Sequence, residues 1–189
     1  MPDRTSLHDA ALRHLARYAT TQAGLMRVLA RRIDRWARAT QADPEAIAPL
    51  IALAQAEVAA LAASGLVDDA AFAASRARTL IRAGRSRRAV VAHLAQRGVE
   101  SGTLAATIPD DADAELAAAL LMARKRRVGP FAPPGAAPDT DAPGDMDAPA
   151  RRKALGMLAR AGFSQDTARR ALAMDRAEAE ERIIRLRRD

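Results

Sequence analysis

The 189-residue chain contains no cysteine. That excludes disulfides, thiolate nucleophiles and cysteine-ligated metals. Aromatic side chains make up only 3% of it: Tyr18, Trp36, Phe72, Phe131 and Phe163. Apolar residues reach 49%, but alanine supplies much of that share and buries little area per residue. The core must therefore be thin and spread along the chain. An elongated series of small helical modules is expected rather than one deep core around a substrate pocket, with a single irregular helical globule as the other possibility. No stretch reaches the roughly 20 apolar residues of a membrane span. The start, Met1-Pro2-Asp3-Arg4-Thr5-Ser6, lacks the basic region and apolar run of a signal peptide. The expectation is a cytosolic protein that contacts no membrane.

Catalytic constellations are also missing. His8, His14 and His93 are spaced for neither a metal triad nor an HExxH site, and read as surface or boundary residues. The pairs Asp68-Asp69 and Asp110-Asp111 stand at helix starts, where carboxylates satisfy free N–H groups. Asp139, Asp141, Asp145 and Asp147 superficially suggest Ca2+, but the bidentate glutamate is lacking and prolines interrupt them. No phosphate-loop, dinucleotide or nucleophile-elbow motif occurs. A non-enzymatic protein without metal or cofactor is expected.

Helix punctuation, by contrast, is dense, and hardly any segment alternates as a strand would. Thr21 can cap a helix with Leu25, Val28, Leu29 and Ile33 inward, and Ser6 precedes an earlier one. The stretch through Trp36 to Gln41 extends or loosely follows the Thr21 helix. Asp43-Pro44-Glu45 opens an alanine-rich helix that stops at Gly65. Asp68, Ser86 and Ser101 start the next three, and Asp110 a further one that ends in Arg124-Lys125-Arg126-Arg127. Residues 132–149 are rich in Pro, Ala, Gly and Asp and read as a flexible insertion. Helices resume over 151–161, 165–173 and 176–187.

The pattern Val90-x3-Leu94-x3-Gly98-Val99-x4-Leu104-x3-Ile108 returns 64 residues later as Ala154-x3-Leu158-x3-Gly162-Phe163-x4-Ala168-x3-Leu172. Each copy closes a helix on a glycine suited to positive φ, then turns into the next helix. A weaker copy lies upstream at Leu25-x3-Leu29, with Thr21 in the place of Ser86. The reading is all-α, with three tandem three-helix repeats over 6–64, 68–108 and 110–187. The first carries an extension at 34–44, and the last is interrupted by the 132–149 insertion.

The chain carries a net charge of +7, and 28 of its 30 basic residues are arginine. Arginine binds phosphate and carboxylate in bidentate fashion, which suits nucleic acid or an acidic protein surface; a GC-rich coding bias also enriches Ala and Arg. The cations are grouped. Arg85, Arg87 and Arg88, and again Arg151, Arg152 and Lys153, fall at helix starts, where the dipole disfavours them. They, together with Arg97 and the run Arg124, Lys125, Arg126 and Arg127, are the candidate partner-binding residues. The helix after each turn holds few side chains able to read a base edge, so non-specific phosphate contact or protein binding is expected over sequence-specific reading.

Gly65-Leu66-Val67-Asp68-Asp69-Ala70-Ala71-Phe72-Ala73 resembles a segment of the RecX family of bacterial regulators. So do Gly84-Arg85-Ser86-Arg87-Arg88 with Leu94-x-x-Arg97-Gly98-Val99, the stretch Ala123 to Phe131, and Arg152 to Ser164. The resemblance covers most of residues 6–173. It implies tandem three-helix repeats in an extended arc and a monomeric regulator of DNA repair, recombination and the SOS response. Such a regulator binds the RecA filament along its groove and suppresses strand exchange and ATP hydrolysis. The Trp36–Gln41 extension and the 132–149 insertion depart from the family pattern. A non-specific, nucleoid-type DNA-binding protein and a helical adaptor for another protein are the competing readings.

Overall fold

The computed structural model describes residues 1–133 and 148–188, and among them every regular element is helical. In order they are α1 (Arg4–Leu15), α2 (Gln22–Thr40), α3 (Pro44–Ala63), α4 (Asp69–Arg82), α5 (Arg87–Gln96) and α6 (Ser101–Thr107). Then come α7 (Ala112–Arg126), a 3-10 turn at Gly129–Phe131, α8 (Ala148–Arg160), α9 (Gln165–Ala173) and α10 (Arg176–Arg188). The fold class is all-α, as the sequence implies.

Helix starts follow the capping chemistry. Thr21 Oγ1 accepts the Gly24 N–H at 2.9 Å, Asp68 accepts from Ala71 at 2.8 Å, and Asp111 accepts from Asp113 and Ala114. Two starts differ from expectation, one of them α7, which Asp111 rather than Asp110 caps. Asp3, not Ser6, caps α1, and Ser6 stands three residues in, closing a capping box with its hydroxyl on the Asp3 N–H. The Ser6 N–H in turn donates to Asp3 Oδ1 at 2.8 Å and holds the Asp3 carboxyl below its ordinary value. The Trp36 stretch is the last turns of α2, which ends on Gln41 in the left-handed region.

Chain packing forms two compact units. The first comprises Met1–Ala74 and Leu94–Thr107. Its core is Leu7 and Ala11 of α1, Leu25, Leu29 and Ile33 of α2, and Leu50, Ala54, Val58 and Leu61 of α3. In each helix these recur at three- and four-residue spacing, so one stripe faces inward. Contrary to the composition reading, α3 is long and apolar enough to cross a membrane by length and composition alone, with a mean hydropathy of 1.8. Leu, Ile and Val together with the many alanines produce that score. In the fold α3 packs against α1 and α2 and buries Glu57, whose Oε1 lies 2.6 Å from His8 Nδ1.

The second unit comprises Ser75–His93 and Ile108–Asp189. Its centre is α7, buried almost all round through Leu116, Leu120, Leu121 and the alanines between them. Around it pack Leu158 of α8, Phe163, Leu172 of α9 and Ile183 of α10. The stretch 110–187 thus holds four helices where a repeat needs three, with α10 folding back on α7. Most of the insertion read at 132–149, including Asp139, Asp141 and Asp145, lies outside the described residues, as does Asp147; its last two residues, Ala148 and Pro149, form the first turn of α8.

Candidate partner-binding surface

The basic groups are positioned by a joint that occurs once in each unit. In the second unit, Ser86 precedes α5 and is fully buried. Its Oγ accepts the Ala89 N–H at 3.2 Å, and its hydroxyl donates to the Ala161 carbonyl at 2.6 Å. The next residue, Gly162, has φ +95°, and a Cβ there would stand 2.6 Å from Ser86 Oγ. In the first unit Thr21 caps α2, and its hydroxyl donates to the Arg97 carbonyl at 2.7 Å. Gly98 follows with φ +90°, and a Cβ there would overlap the Ala23 methyl. Both glycines close their helices alike: Val99 N–H reaches Leu94 O, and Phe163 N–H reaches Leu158 O, each at 3.2 Å. The 64-residue echo in the sequence is this joint.

Around the Ser86 joint the predicted cations divide by role. Arg87 is half-buried and committed to the scaffold. Its guanidinium donates to the carbonyls of Ile108 and Pro109 at 3.1 to 3.3 Å, just past the end of α6, where the helix dipole favours a cation. Its backbone N–H donates to Glu115 Oε2 at 2.8 Å, so a carboxylate from α7 sits at the start of α5. Burial pushes the Glu115 carboxyl above its ordinary value, opposed by that N–H and by the Arg87 charge. Lys125 donates from Nζ to the Ala83 carbonyl at 2.6 Å, fastening the end of α7 to the end of α4.

Arg85 and Arg88 are exposed, and the Arg88 stem runs beside Gly162. Arg126, Arg127, Arg151, Arg152 and Lys153 are exposed and Arg124 half-buried. None of these has a carboxylate partner among the described residues. Because α8 begins at Ala148, Arg151 to Lys153 lie a turn inside the helix, and the dipole opposes them less than the sequence suggested. Arg97 stands apart from the other ten in the first unit, where its carbonyl serves the Thr21 joint.

Charge separates the units more sharply than any single contact. The first unit holds nine basic and nine acidic residues; the second holds twenty-one and fourteen, so the whole net charge of +7 belongs to the second. Sequence reasoning missed Arg160, which lines a groove beside Arg126, Arg127 and Lys153. It also missed the buried Glu57, although Leu50, Ala54, Glu57, Val58 and Leu61 place that acid on the inward stripe. Among the described residues no three His, Asp or Glu side chains gather as a metal site.

Comparison with known proteins matches the middle three-helix stretch. Residues 68–108 match the family model for the RecX second three-helix domain. Regulatory protein RecX of Myxococcus xanthus is 37% identical over 172 residues, covering 89% of this chain and 84% of that protein. The chain belongs to the RecX family. Regulatory protein RecX of Halorhodospira halophila is 32% identical over 171 residues, covering 89% of this chain and 87% of the relative. The RecX match at 68–108 spans α4, α5 and α6 and includes Arg87 and Arg88 of α5 and the connecting residues Arg85 and Arg97. Both relatives are named regulatory proteins.

Proposed function

We propose that this RecX-family chain is a non-enzymatic, cytosolic regulator that binds the RecA–DNA filament through its second unit and restrains RecA recombination and ATP hydrolysis. The observation that carries this reading is the confinement of the net charge to one unit. There, exposed arginines without acidic partners sit on a scaffold tied by buried hydrogen bonds. A nucleoprotein filament offers what such a surface binds, acidic protein faces and DNA phosphates side by side. The three-repeat division over 6–64, 68–108 and 110–187 belongs to this reading, with the filament contacts made by the repeats that carry the second unit's cations.

The test compares the units. The triple variant Arg85→Glu, Arg88→Glu and Arg151→Glu should weaken co-sedimentation with RecA filaments roughly a hundredfold. The triple variant Arg13→Glu, Arg17→Glu and Arg31→Glu in the neutral unit should change it by less than about threefold. Unchanged RecA ATP hydrolysis at saturating wild-type protein would overturn the proposal. The exposed, unpaired arginines also support a second reading, non-specific binding to naked DNA. It requires an affinity falling by about 0.9 log unit per log unit of salt for each phosphate neutralised, with no added binding from RecA.

A further inference from the structure

In the second unit a groove of about 720 Å3 opens between the end of α7 and α8. Its floor is apolar: Met122, Val128, Ala154, Met157 and Ala161. Arg126, Arg127, Lys153 and Arg160 stand around it, and among the described residues no carboxylate lines it. All four cations are exposed, and none has an acidic partner among the described residues.

These two features select the occupant together. The cations attract negative charge, but a phosphate backbone carries nothing to fill an apolar floor and would leave it wet. Stacked bases would need an aromatic platform, and among the described residues no aromatic side chain lines the groove. Methionine is unbranched and polarisable, so a floor with Met122 and Met157 adapts to an aliphatic or aromatic side chain. A groove of this kind suits a peptide with apolar anchors at its centre and carboxylates at its flanks.

We propose that the α7–α8 groove binds an acidic protein segment, with an apolar anchor on Met122 and Met157 and carboxylates on Arg126, Arg127, Lys153 and Arg160. The inference deepens the filament-binding reading by assigning one contact to protein rather than DNA; it rests on that reading only for the partner's identity. Arg85, Arg88, Arg151 and Arg152 stand outside the groove lining and remain for phosphate.

The groove can be tested without RecA. The full chain, labelled at its methionine methyl groups, is titrated with a short synthetic peptide in which Asp and Glu flank a Leu-Phe pair. Saturable shifts of Met122 and Met157, with Met26 of α2 unmoved, are expected. Replacing Leu-Phe by Ser-Ser, or using the double variant Lys153→Glu and Arg160→Glu, should weaken binding by about tenfold or more. A Met26 signal and circular dichroism matching wild type show that the variant is folded. An unmoved Met157, equal binding of the Ser-Ser peptide, or tighter competition by oligothymidylate overturns the proposal.

A photo-reactive benzophenone side chain at position 157 then addresses the filament. A cross-link to an acidic RecA segment is expected. A cross-link to DNA, or only to residues 134–147 of the same chain, overturns the assignment. If the peptide binds while wild-type protein fails to co-sediment with filaments, the filament reading falls and the groove stands.

Discussion

The two units carry the same joint and different electrostatic characters. Thr21 with Arg97 and Gly98 in one, and Ser86 with Ala161 and Gly162 in the other, place a capping hydroxyl on the carbonyl before a positive-φ glycine. Yet the first unit balances nine cations with nine acids, while the second has a surplus of seven cations. Repetition thus preserves the parts that fix the backbone, because those hydrogen bonds are buried and unforgiving. It leaves exposed positions free to diverge, because a surface charge costs little wherever it stands.

The sharpest way to break this comparison is to strain both joints. Gly98→Val and Gly162→Val combine a branched side chain at positive φ with a Cβ that meets the Ala23 methyl in one joint and the Ser86 hydroxyl in the other. Each should cost more than about 2 kcal/mol in urea unfolding. A large loss in one and none in the other would show that the joints are not equivalent.

A smaller effect is expected from the hydroxyls. Ser86→Ala and Thr21→Val each remove a cap and a buried bond to a carbonyl, at about 1–2 kcal/mol. Equal losses would sharpen the equivalence. The Ser86 variant should in addition weaken filament binding, since it loosens the start of α5 beside Arg85 and Arg88, whereas the Thr21 variant should leave filament binding unchanged.

The smallest effect concerns pH. The Glu115 carboxyl is raised in the fold by burial, so the folded state binds its proton more tightly than the unfolded chain does. Stability should therefore fall as pH rises from the ordinary glutamate value of 4.5 through the raised one. Glu115→Gln keeps an acceptor for the Arg87 N–H and should flatten that decline. Unfolding curves across this window that superimpose for wild type and variant would refute the role of burial.

Much of the fold was legible because helices are announced locally. Thr21, Asp68 and Ser164 each cap the helix that follows them, and the two echoing glycines take the positive φ expected of them. What escaped was non-local. Asp3 took the cap and Ser6 the reciprocal position because each side chain accepts the other's backbone N–H, and where the chain enters the helix decides which residue stands outside it. The return of α10 onto α7 follows from an apolar surface on α7 that its own spacing does not mark, since that helix is buried on nearly every side. Among the candidate residues, Arg87 looked like its neighbours Arg85 and Arg88. Only carbonyls from 108 and 109 made it a scaffold residue.

By itself, the sequence determined the helical class, the repeat, the want of cysteine and catalytic motifs, and the groups of arginine. These follow from side-chain type and short spacing, which act within a turn or two of helix. Tertiary structure alone decided which arginines are tied and which are exposed, that Arg160 joins Arg126, Arg127 and Lys153 around one apolar groove, and that the whole charge surplus belongs to one unit. Those facts depend on residues far apart in the chain meeting in space, where burial and hydrogen-bond partners, not composition, set what each charge can do.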